Sequence, residues 1–166
     1  MPYYLRAIKI AKWRRHAGVA WLADNEIQAD ALGDLKTETN ALSVWEVDDD
    51  RSNLGRVLTA VAANRDHLSD LSYVLLTKDD LRAIGAKIAS SEGGTVDREV
   101  NKWHRDIVEL TTQKLHQIAV VVNDKPEKPR RLPGDVAGLL RQGIAEGRFS
   151  AAQLEEGLRK EIERRG

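Results

Sequence analysis

The sequence predicts an α/β protein, with mixed α+β as the alternative class: a small sheet of about four strands, three or four helices, and a C-terminal helical hairpin. Three observations lead there. Short runs rich in β-branched and aromatic residues, at 3–10, 41–47 and 72–76, are interspersed with stretches whose apolar residues recur every three or four positions. Cap and stop residues punctuate those stretches. A segment carrying Pro126, Pro129 and Pro133 then separates this body from two further helical patterns. Strands separated by helices favour at least some parallel pairing.

Residues 3–10 place Tyr4, Ile8 and Ile10 on one face of a strand and Leu5 and Ala7 on the other, with Arg6 interrupting the first set. Residues 12–22 carry no clear period; a second strand after a turn near Gly18 is one reading. Ile27, Ala31, Leu32 and Leu35 share a face of a short helix over 26–36. Residues 41–47 are apolar on both faces, as in a central strand. Ser52 is placed to cap a helix bearing Leu54, Val57, Leu58, Val61 and Leu68, with Arg65 as the break. After the strand over 72–76, Thr77, Asp79 and Asp80 start a helix that Gly85 stops. A short strand over 86–89 and a loop over 90–95 follow. The spacing of Val100, Trp103, Ile107 and Leu110 predicts the longest helix, over 96–116, and 118–122 reads as its extension or as a strand.

The prolines divide the chain into a body over 1–122, an extended charged linker over 123–134 and a hairpin over 135–166. In the hairpin, Val136, Leu139, Leu140 and Ile144 form one helix face, and Gly147 ends it. Ser150 and Gln153 make a capping box before Leu154, Leu158 and Ile162, which repeat every fourth residue. A stripe that narrow needs a surface to cover it. Leu139, Leu140, Ile144, Leu154, Leu158 and Ile162 are therefore the expected contact residues for another protein or a second copy of the chain. The function expected is a non-enzymatic interaction or accessory role in a bacterial cytosolic system, of the immunity, antitoxin or phage-defence kind.

Composition narrows the other classes. The 166 residues carry 26 basic and 26 acidic side chains, which argues against a protein that mainly coats nucleic acid. There is no cysteine, hence no disulfide, thiolate nucleophile or thiolate metal site. No apolar run approaches the roughly 20 residues that span a bilayer. Arg6 and Lys9 interrupt the only candidate leader, so the expected location is the cytoplasm and no membrane partner is expected. The four histidines lack ligand spacing, and neither metal nor cofactor is expected. His104-Arg105-Asp106 mimics a kinase catalytic loop, but Thr111 stands where the motif needs asparagine.

Two alternatives have named residues. A nucleotide- or nucleic-acid-processing enzyme would combine Arg6, Arg14 or Arg15 with the carboxylates of Glu46, Asp48, Asp49 and Asp50 and with His104. A single-stranded nucleic-acid-binding module would use Lys9, Lys12, Trp13, Arg14 and Arg15, stacking bases on the indole. The blander reading of that basic stretch is internal pairing with the acidic residues between 24 and 50.

Overall fold

The computed structural model of the chain describes residues 1–13, 23 and 26–165. Arg14, Arg15 and most of the 12–22 segment lie outside the described residues. The class is mixed α/β. The strands are β1 (Tyr3–Ile8), β2 (Leu42–Val47), β3 (Leu71–Thr77), β4 (Lys87–Ser90), β5 (His104–Val108) and β6 (Arg130–Arg131). They form one sheet in the order β4-β5-β2-β1-β3-β6. The expectation of about four strands was too low: β5 lay hidden in a helical pattern and β6 in the proline segment.

Every pairing in the sheet is antiparallel, which corrects the expectation of parallel neighbours. The reason is topological. The helix α2 (Leu54–Ala63) joins β2 to β3, and these two strands lie on either side of β1 rather than side by side. The first strand therefore sits in the sheet's interior, as its two apolar sets require.

Helices cover both faces. On one side Leu5 and Val47 of the sheet pack with Val57 and Leu58 of α2, with Val100 of α4 (Arg98–Asn101), and with α6 (Pro133–Ala145) and α7 (Glu156–Arg164). On the other, Tyr4, Val44, Val74 and Ile107 pack with α1 (Ala29–Leu32), α3 (Lys78–Ala83) and α5 (Thr112–Asp124). The capping box of Thr77 and Asp80 opens α3, and Gly85, at φ +62°, closes the turn that leaves it.

The long helix expected over 96–116 does not form. Asp97 caps the short α4, and Thr111 caps a new helix whose N3 N–H it accepts. Between them the chain is β5, flanked by β2 and β4. Glu109, at φ +55°, makes the corner. The helical spacing of Val100, Ile107 and Leu110 was an accident of a short helix, a strand and the loop after it, and sheet pairing overrode it. The second reading of 118–122, a strand, also fails: these residues are inside α5. The Ser150 and Gln153 capping box is present but caps a 3-10 turn, and α7 starts only at Glu156.

Candidate functional site

The side chains expected to meet a partner are used inside the molecule. Leu140 and Leu158 are 0% exposed, and Leu154 and Ile162 are buried in the cluster they share with α2 and the sheet. Leu139 and Ile144 are half-buried against the same cluster. The segment expected to stand off as an appendage is a covering layer of the sheet. Among the described residues, Met1 and Leu132 are the exposed large hydrophobic side chains, so no apolar face is left over.

The basic-aromatic stretch is likewise committed in part. Trp13 is 7% exposed, and its indole Nε1 donates to Asp34 at 2.8 Å. The Lys9 main-chain N–H donates to the same carboxylate at 2.6 Å. A ring so held does not stack on a base. Lys9 is exposed and Lys12 half-buried. Arg6 donates to the carbonyls of Ser43 and Asp34, at 2.9 and 3.1 Å. Burial pushes its pKa down and the neighbouring Asp34 charge holds it up. Among the described residues, the basic and acidic stretches meet through main-chain groups and an indole.

The carboxylates expected to gather in an enzyme site are dispersed. Glu46 forms an ion pair with Arg105 at 2.7 Å. Asp48 and Asp50 serve the turn before α2, both bonded to Ser52, and Asp49 meets the terminal ammonium. His104 pairs with Trp45 in the register and therefore points away from Glu46, on the opposite face of the sheet. Among the described residues no three His, Asp or Glu side chains are grouped as a metal site. No helix among them is long and apolar enough to cross a membrane.

Among the described residues, three clefts stand out. One, of about 400 Å³ between α2 and α6, is lined by Arg56, Trp103, Leu139 and Arg148, but Asp97 holds Arg56 and Glu146 holds Arg148. A second, of about 510 Å³, lies over β2 and β5 with Ser43, His104 and Asp106 on its floor. His104 Nδ1 lies 2.8 Å from the Ser91 hydroxyl, and its ring meets Trp45 edge-on at 4.7 Å. Burial lowers its pKa, with Arg105 adding to this and Asp106 opposing, so the imidazole is neutral near pH 7.

The third cleft, of about 520 Å³, is on the other face at the sheet's edge. Tyr4, Arg105 and Ser90 come from three strands, and Lys78, Leu81 and Arg82 from α3. It adjoins β4, which is the outer strand on that side. Ser91 N donates to His104 O, so the alternation of an antiparallel ladder turns the peptide groups of Lys87 and Ala89 inward to β5. Those of Ile88 and Ser90 then face outward, and among the described residues nothing pairs with them. Their side chains lie on the face of this cleft. Sequence reasoning missed these groups because Arg105 lay inside the spurious helix; the β-type run at 86–89 was the one signal available.

Comparison with protein-family models, with curated proteins and with solved structures gave no match to this chain.

Proposed function

We propose that this is a non-enzymatic interaction protein that receives an extended segment of a partner protein along the free edge of β4. The observation that carries the reading is the outward-facing peptide groups of Ile88 and Ser90, bordered by a cleft of ligand size. An added strand satisfies both N–H groups and both carbonyls. The edge is short and carries Lys87, which discourages indiscriminate pairing and favours a partner whose side chains match. An accessory role, of the immunity, antitoxin or phage-defence kind, is in keeping with a chain that acts by holding another.

The test is selection of peptides from a random library on the full chain, followed by amide hydrogen exchange. The expected result is slowed exchange at Ile88 and Ser90 with bound peptide, and loss of binding in Ile88→Pro, which removes an outward N–H without touching the β5 ladder. Selected peptides that protect amides elsewhere, and bind Ile88→Pro unchanged, would overturn the reading.

A second reading has its own observation, the Ser91 hydroxyl at 2.8 Å from a neutral imidazole beside an open cleft. It is an enzyme acting on nucleotide or nucleic acid with His104 as general base. Hydrolysis of a nucleotide panel that vanishes in His104→Gln, with the fold intact, would favour it over the first; equal turnover by both chains would remove it.

A further inference from the structure

Two copies of β4 fit one another. A strand added antiparallel to β4 has to meet the outward peptide groups of Ile88 and Ser90 with outward groups of its own. β4 of a second copy offers the same two. One register uses both at once: Ile88 faces Ser90 of the second copy, Ser90 faces its Ile88, and Ala89 faces Ala89 on a twofold axis. Each facing pair of Ile88 and Ser90 exchanges both of its bonds, so every outward group of the strand is satisfied. An axis centred on Ile88 or on Ser90 would satisfy only one of the two residues within β4.

The side chains suit that register. Ala89 stands on the axis in a pair without hydrogen bonds, the kind that brings Cα atoms to about 4.5 Å, and a methyl group fits there. On the other face, the Ile88 side chains of the two copies are diagonal neighbours. Ile88 is half-buried against the core together with Ile84 and Ala86, and this contact extends its apolar cover. Charge agrees. Lys87 is the one charged residue of the strand, and Glu109 holds it at 2.6 Å. The two copies of Lys87 stand about 14 Å apart, beyond the Debye length of about 8 Å. The ladder to β5 reaches Ser91, so each Lys87 faces Ser91 of the other copy. Next along the chain is Glu92, which is exposed and has no partner among the described residues. With 26 basic and 26 acidic side chains, the copies carry no net charge to keep them apart.

We infer that the segment received by β4 is β4 of a second copy of this chain, in a twofold dimer whose two sheets run on as one. The inference rests on the β4 reading and names its partner. The same surface serves both copies, so the contact closes at two. The opposite edge, β6, is only two residues long and lies between Pro129 and Pro133, which discourages it from extending the sheet further. An edge as short as β4 gives a weak dimer that forms as concentration rises.

The experiment is light scattering on the full chain over a range of concentrations. The mass should rise from 18.5 kDa towards twice that value. Ile88→Pro removes an outward N–H and should stay monomeric. So should Ala89→Lys, which sets like charges face to face on the axis yet lies beside Asp106 within its own sheet, so that the fold is kept. The chain has no cysteine, so Ala89→Cys supplies one thiol per copy. On the axis the two thiols are within disulfide range, and under mild oxidation they should couple at least about tenfold faster than those of Lys87→Cys, which are held apart. A mass that stays at 18.5 kDa up to about 1 mM overturns the second copy as partner. So does a dimer that persists in both Ile88→Pro and Ala89→Lys, or equal coupling at 87 and 89. The β4 reading is judged apart from this. It stands if library-selected peptides protect Ile88 and Ser90, and the partner is then another protein. It falls if they protect amides elsewhere and bind Ile88→Pro unchanged.

Discussion

Replacing Leu158 with alanine tests whether α7 belongs to the core or merely rests on it. The side chain is 0% exposed and packs with α2, α6 and the sheet. Truncation removes three buried carbons, worth about 2.4 kcal/mol at about 0.8 kcal/mol each. The cavity left behind adds to this, so the expected loss is about 3–4 kcal/mol. For a chain of this size that lowers Tm by about 6–16 °C. In urea, with m near about 2 kcal/mol/M, the midpoint falls by about 1.5–2 M. The assay is urea unfolding followed both by tryptophan fluorescence and by far-UV circular dichroism. Trp45 and Trp103 pack against the same cluster and report its integrity. Glu163→Ala, an exposed neighbour, should shift the curve by less than about 0.5 kcal/mol. A loss under about 1 kcal/mol, or a helical signal that melts apart from the tryptophan signal, would refute the reasoning and restore a separate hairpin.

Three other outcomes are expected. Gly143→Ala should destabilise by about 1–3 kcal/mol in thermal melts despite alanine's better helix propensity, because the new carbon would lie 2.7 Å from the Phe149 ring and 2.9 Å from Thr59. Asp34→Ala should cost about 1–3 kcal/mol, since it leaves the buried Trp13 indole N–H and the Lys9 amide without their acceptor; a blue-shifted or quenched Trp13 emission should accompany it. Asp97 is 2% exposed and bonded twice to Arg56, at 2.8 and 2.9 Å. Burial pushes its carboxyl up, but the Arg56 bonds and charge, with main-chain N–H donors, outweigh burial and hold its pKa below the usual value. A depressed folded pKa gives stability that is full above the unfolded value of about 3.9 and is lost as pH falls through the folded one. Stability measured from pH 6 down to pH 2 should therefore drop more steeply in the native chain than in Asp97→Asn; parallel curves would rule the linkage out.

Local chemistry was legible where punctuation was local. Thr77, Asp80 and Gly85 announced α3 and its stop, and the double apolar character of 41–47 announced an interior strand. Failures arose where pairing at long range decided the outcome. His104–Val108 is a strand because β2 and β4 flank it, and nothing within those residues opposes a helix. The stripe on α6 and α7 was read correctly as a surface in need of cover, but a sequence cannot say whether the cover is the same chain or another. The cleft beside β4 was out of reach for the same reason: Tyr4, Lys78 and Arg105 converge only once the sheet order is known.

That order has a consequence for the chain's own manufacture. The oily side of β1, β2 and β3 is complete once residue 77 has been made, but much of its roof is α6 and α7, which start at Pro133 and Glu156. During synthesis the sheet must wait with that side only partly covered, by α2. The same holds for a cut in the lysine- and arginine-bearing stretch between α5 and α6: the fragment left behind would carry an adhesive face, and aggregation rather than a smaller working protein is its natural fate.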